Sequence, residues 1–153
     1  MNTSDWSISL SESDVLSAAV TLFQPMVDTA ALRDRMARAA GILRSLPELP
    51  TVASLICEMP DSEGHVVVTV SGELTIGRHE ECDVSIPECT ALSRQHFQIR
   101  LEEGVALIKD LGSSNGTRVN DPDSPPIRTR VLRDGDFVLA GGLAFLWTTP
   151  TQE

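Results

Sequence analysis

Tyrosine is absent from the 153 residues, lysine occurs once (Lys109), and the aromatic side chains are four Phe and two Trp. Basic groups number 12 against 22 acidic ones, giving a formal charge of −10 and an isoelectric point near 4.6. That deficit excludes a general nucleic-acid binder, which needs a basic face to displace counterions from phosphates. It equally excludes electrostatic docking on an anionic membrane. No lysine or arginine precedes Arg33, and no apolar stretch stands near the start, so a secretory signal is not expected. No apolar run approaches the length of a membrane span. The cysteines, Cys57, Cys82 and Cys89, are odd in number, which without an export signal predicts a reduced, cytoplasmic setting. The shortage of lysine has a second side. Eleven of the 12 cations are guanidinium groups, the side chain suited to bidentate grips on phosphate or carboxylate.

Length leaves room for one ordinary domain, or a small domain with an appendage. A mean hydropathy of −0.01 with 41% hydrophobic residues suits a globular chain. The pattern divides at Pro47-Glu-Leu-Pro50, so we expect a helical N-terminal segment and linker over 1–50, a β domain over 51–149 and a tail over 150–153. Upstream, Ser11-Glu12-Ser13-Asp14 reads as a capping box ahead of Val15, Leu16, Ala19, Val20 and Phe23 at helical spacing. After Pro25, Asp28 or Thr29 can cap a second helix over 30–46. There Leu32, Met36, Ala39, Ala40, Leu43 and Leu46 share a face, with Arg33, Asp34, Arg35 and Arg38 mostly off it. That stripe either packs within the chain or serves as a docking or dimerising hairpin.

Downstream the period shortens. Residues 54–59, 65–70, 73–76, 97–101, 105–110, Val131 with 137–139, and 143–147 read as short strands. Turn signals separate them, among them Ser71-Gly72, Glu102-Glu-Gly104, Asn115-Gly116, Asp134-Gly135 and Gly141-Gly142. Regularly spaced short strands predict an all-β sandwich or barrel. The loops between these strands carry, in order, Gly77-Arg78, Cys82-Asp83, Ser93-Arg94-Gln95-His96, Asp110-Leu-Gly-Ser-Ser-Asn-Gly-Thr117, Asn120 and Leu132-Arg-Asp-Gly-Asp136. A phosphorylated side chain presents nearly two negative charges and three strong acceptors. Arg78 and Arg94 offer guanidinium groups to such an anion, Ser93 a hydroxyl, and residues 113–116 small donors and backbone N–H groups in a tight turn. The amide of Asn115 can pair with an extended peptide backbone through both its nitrogen and its oxygen.

This succession resembles the forkhead-associated (FHA) domain family over roughly residues 52–148. The resemblance implies an FHA/SMAD-like all-β sandwich of about eleven short strands, preceded by a short α-helical segment. It implies a phosphothreonine-dependent interaction module, an adaptor in signalling rather than an enzyme, without cofactor or metal. Phosphate contacts fall to Arg78, Ser93, Arg94 and Ser114, and peptide-backbone contacts to Asn115 with Asn120 as helper. Gly77, His96, Gly116 and Thr117 support the site. The expected partner is a protein phosphorylated on threonine by an upstream Ser/Thr kinase, with no nucleic acid and no membrane insertion. Three departures stand out. Asn120 is followed by Asp121 and a proline-rich loop where the family usually has glycine. His79 follows Arg78, as an added donor or a loop cap. Thr90-Ala91-Leu92 holds no cation, which predicts an apolar preference three residues after the phosphothreonine, and the net acidity predicts that acidic flanks are repelled.

Other readings of the same residues are weaker. His79, Cys82, Cys89 and His96 have zinc-ligand chemistry. Ser93, His96 and Asp110 have the residue types of a catalytic triad, without an oxyanion-hole motif. A rival function is a phosphate-independent scaffold component of a secretion or cell-division assembly, self-associating through its N-terminal helices. A third is intramolecular docking of a phosphorylated Thr3, Thr21 or Thr29.

Overall fold

The computed structural model describes residues 29–60 and 64–150. The first expected helix over 11–23, Asp28, Thr3 and Thr21 lie outside them. Helix α1 spans Thr29–Ser45, ending one residue before the expected limit. Ten strands follow among the described residues, against about eleven expected: β1 Ser54–Glu58, β2 His65–Thr69, β3 Glu73–Gly77, β4 Val84–Ser85, β5 Phe97–Glu102, β6 Val105–Asp110, β7 Thr117–Val119, β8 Thr129–Leu132, β9 Phe137–Ala140 and β10 Leu143–Thr148. They form two five-stranded sheets, ordered β2-β1-β10-β9-β7 and β4-β3-β5-β6-β8. All pairings are antiparallel except β3 with β4.

The inner faces supply the core. Ile76, Phe97, Ile99 and Ile108 from one sheet meet Leu55, Val138, Phe145 and Trp147 from the other. The Phe97 and Phe145 rings close edge to face at 5.3 Å, tying the sheets together. Strand β10 is buried at all six positions, which a half-exposed strand never shows. The cause is α1, laid over the outer face of β1 and β10. Leu32 packs with Leu139 and Ala144, and Ala39 with Ile56 and Leu146. The stripe foreseen on this helix therefore packs within the chain. Arg35 and Arg38, expected off the buried face, reach over its rim to Glu58. Arg38 Nε bonds both carboxylate oxygens at 2.9 and 2.8 Å, and Arg35 Nη1 lies 3.3 Å from one of them.

The register brings the functional loops to one end. Ile76 pairs with Phe97, Phe97 with Asp110, and Thr117 and Leu143 each with Ala140. The connections after β3, β4, β6 and β9 therefore gather on the same rim of the sandwich.

Candidate functional site

Residues 77–79 and 93–94 run against each other as main chain. Arg78 N–H donates to the Ser93 carbonyl at 3.0 Å and His79 N–H to the Arg94 carbonyl at 3.1 Å. Gly77 permits this approach. A Cβ there would collide with the Arg94 carbonyl oxygen and stand 2.9 Å from that of Ser93. With its backbone so held, Arg78 donates through Nε to the Leu92 carbonyl at 2.8 Å. The guanidinium is thereby oriented, and among the described residues its two terminal nitrogens have no partner. Arg94 is exposed, and its guanidinium has no described partner either. His79 Nδ1 accepts the Glu81 N–H at 3.1 Å, so this residue caps its own loop.

Ser93 joins the second loop to the third. Its Oγ accepts the Ser114 N–H at 2.9 Å. A hydroxyl has one proton to give and two lone pairs, so this bond leaves the Ser93 O–H free to donate outward. Beneath it His96 is fully buried. Its Nδ1 accepts the Ser93 N–H at 3.0 Å and its Nε2 bonds the Gly116 carbonyl at 2.9 Å. A carbonyl can only accept and an N–H only donate, so the ring is the neutral Nε2–H tautomer. Burial holds its pKa below the usual imidazole value, against the opposing pull of the Gly116 carbonyl and Asp110. Protonation would place a proton on Nδ1, facing the Ser93 N–H. The unfolded chain thus binds this proton more readily than the native one. The stability from His96 is full above the ordinary value of 6.5 and lost as pH falls through the depressed native value. Chemical denaturation of wild type and His96→Gln between pH 7.5 and 5 should show the wild-type midpoint falling and the variant's slope reduced.

The third loop is built on Asp110. Oδ1 accepts the Ser113 hydroxyl at 2.6 Å and the Thr117 hydroxyl at 2.7 Å, while Oδ2 accepts the Gly112 and Ser113 N–H groups, each at 3.0 Å. Burial would raise its pKa, but the hydrogen bonds from Ser113, Thr117 and Gly112 outweigh it and hold the carboxyl below the usual range. Gly116, at φ +84°, turns the chain where a Cβ would meet the Pro126 Cβ at 2.9 Å. Asn115 Nδ2 donates to the Ala91 carbonyl at 2.9 Å. One amide hydrogen and Oδ1 then remain to meet an extended backbone.

The structure therefore brings Arg78, Ser93, Arg94, Ser114 and Asn115 to one rim, braced by Gly77, His96, Gly116 and Thr117. Asn120 stands apart from them. Its Nδ2 donates to Asp136 Oδ1 at 3.0 Å and its Oδ1 accepts the Phe137 N–H at 2.9 Å. Both ends of the amide are engaged at the start of β9, and its φ of +68° fills the left-handed position at the turn where glycine was expected one residue later. Asp121, the unexpected acid, faces Arg33 of α1 at 3.7 Å. Two supports escaped the sequence reading. Asp110 heads the third loop motif and has the residue type for a triad, but neither reading assigns it the part of acceptor that organises the turn. Arg118 donates from Nε to the Ser124 carbonyl at 2.7 Å and from Nη1 to the Asn115 carbonyl at 3.2 Å, and nothing in its spacing marked it.

The alternative chemistries find no shared centre. Cys82 Sγ faces the Arg94 carbonyl, Cys89 Sγ the Gly141 carbonyl, and both nitrogens of His96 are engaged as above. Ser93 meets His96 through its N–H rather than its Oγ, and Asp110 bonds the hydroxyls of Ser113 and Thr117. No helix among the described residues is long and apolar enough to cross a membrane.

The FHA domain family model matches residues 74–141. The chain is 35% identical over 88 residues to the FHA domain-containing protein FhaA of Mycobacterium tuberculosis, covering 58% of this chain but only 16% of that protein. It is 31% identical over 110 residues to the glycogen accumulation regulator GarA of Mycolicibacterium smegmatis, covering 71% of this chain and 67% of GarA. An FHA domain solved in a study of phosphothreonine-dependent interactions superposes with a TM-score of 0.55 at 31% identity, over 65% of this chain and 99% of that one. With the family model, the two relatives and the solved fold all pointing the same way, the chain belongs to the FHA domain family.

Proposed function

We propose that this chain is a phosphothreonine-dependent protein–protein interaction module, an adaptor that reads phosphorylated peptides in the cytoplasm downstream of a Ser/Thr kinase. One observation carries the reading: Arg78, Ser93 and Ser114 come from three loops interlocked by hydrogen bonds, with the Arg78 terminal nitrogens and the Ser114 hydroxyl without partners among the described residues. The phosphate is received by the terminal nitrogens of Arg78, the Ser93 hydroxyl, the Ser114 hydroxyl and Arg94. The donors are held in place before the ligand arrives, so little ordering cost opposes binding. Asn115 pairs with the peptide backbone, while Asn120 serves to pin the start of β9. Binding is reversible and uses no cofactor.

The match with a study of phosphothreonine-dependent FHA interactions supports this reading, as does the likeness to GarA, named as a regulator. The test is a phosphothreonine peptide library screened beside the same sequences without phosphate. Binding confined to the phosphorylated set is expected. Equal binding of both sets would favour the phosphate-independent scaffold instead.

A further inference from the structure

Beside the turn that presents Ser114 and Asn115 lies a cleft of about 640 Å³. Its far wall comes from Arg118 on β7, Arg128 ahead of β8, the prolines between those strands, and Leu32 of α1. These parts belong to none of the loop motifs. The charge in the cleft is unbalanced. Arg118 bonds only carbonyl groups, and among the described residues neither Arg118 nor Arg128 has a carboxylate within ion-pair distance. The carboxylate on the wall, Asp110, has both oxygens turned to the four donors of its own turn. Asp121 and Asp123, on the same proline-rich loop, face Arg33, with Nη2 at 3.7 and 3.2 Å. Among the described residues, Arg118 Nη2 and the guanidinium of Arg128 have no partner, in a chain whose formal charge is −10.

The cleft is continuous with the phosphate loops. Arg118 Nη1 touches the carbonyl of Asn115, the neighbour of Ser114, whose N–H is bonded to Ser93 Oγ. A peptide extended along Asn115 therefore passes the mouth of the cleft. We propose that the cleft receives an anionic side chain from one flank of the bound phosphopeptide, a carboxylate or a second phosphate, held by Arg118 and Arg128. The preferred ligand is thus a phosphothreonine peptide with an acidic group at a defined distance, a deepening that rests on the function proposed above. It reverses the expectation of repelled acidic flanks, which weighed net charge and residues 90–92 alone. At contact distance, a guanidinium pair outweighs a diffuse field that salt screens.

The experiment uses the full chain and a phosphothreonine peptide with alanine at every flanking position. Glutamate, then phosphoserine, is placed at each of the flanking positions in turn, the two arms separating carboxylate from phosphate. One position is expected to tighten binding about tenfold, and in Arg128→Ala this acidic-over-alanine preference should fall to about one. Arg128 contributes a backbone carbonyl to Asp110 N–H but, among the described residues, no side-chain bond, so the variant keeps the fold. The proposal is overturned if no position gains, or if the gain survives in Arg128→Ala. If the all-alanine phosphopeptide and its acidic versions all fail to bind, the function itself falls, and the inference with it.

Discussion

Arg78→Ala is expected to weaken binding of a phosphothreonine peptide by more than ~100-fold while moving the thermal midpoint by no more than about 2 °C. The guanidinium is aimed by its Nε bond to the Leu92 carbonyl, so on the proposed function its terminal nitrogens would reach the phosphate without a search through rotamers. Charge-assisted hydrogen bonds contribute about 1.5–3 kcal/mol each, and every ~1.4 kcal/mol is a factor of ten. No long-range field compensates the loss, because residues 51–153 carry 8 basic and 16 acidic side chains. Arg78→Lys restores the charge but neither the fork nor the aiming bond, and should recover only a minor part of the affinity. Calorimetric titration beside a thermal melt reads both quantities. Affinity within threefold of wild type would remove Arg78 from the site.

Asp110→Ala is expected to lower stability by about 3 kcal/mol and to abolish peptide binding, although the carboxylate faces its own turn and not the ligand. Its removal strands two backbone N–H groups and the hydroxyls of Ser113 and Thr117, the latter fully buried. Without them Ser114 loses its presentation to Ser93. Asp110→Asn keeps an acceptor for the hydroxyls but turns donors toward the two N–H groups, so an intermediate loss is expected. Denaturant unfolding, with peptide titration at low temperature where the variants remain folded, separates the two effects. Wild-type affinity in Asp110→Ala would show that the turn does not depend on this carboxylate.

Much of this was legible because the site is coded locally. Gly77-Arg78 and the run from Asp110 to Thr117 are contiguous pieces at the ends of strands whose alternation is plain, and Ser93-Arg94 is a contiguous piece just ahead of another. The hidden parts depend on partners far along the chain. β4 is two residues and β7 three, too short for any period to register. β7 also begins at Thr117, the last residue of a motif that reads as a turn. Asn120 carried the right residue type for a ligand contact, yet Phe137 and Asp136 claim its amide from 17 and 16 positions away. In the sequence β10 reads only as one more short strand, and the folded chain shows that α1 covers its outer face. Arg118 and Arg128 share a cleft because the proline-rich loop folds back between them, a closure that no local pattern encodes.

The claim at the centre is that phosphate is received where the β3–β4, β4–β5 and β6–β7 loops interlock. It is tested most directly by amide NMR of the full chain during titration with one peptide in threonine and phosphothreonine forms. The phosphorylated form should move the Ser93, Ser114 and Asn115 amides and the Arg78 side-chain Nε–H. Signals from the opposite end of the sandwich, such as Glu103 and Gly104 between β5 and β6, should stay in place, and the unphosphorylated form should move none. Equal shifts with both peptides, or shifts that fall away from these three loops, would contradict it.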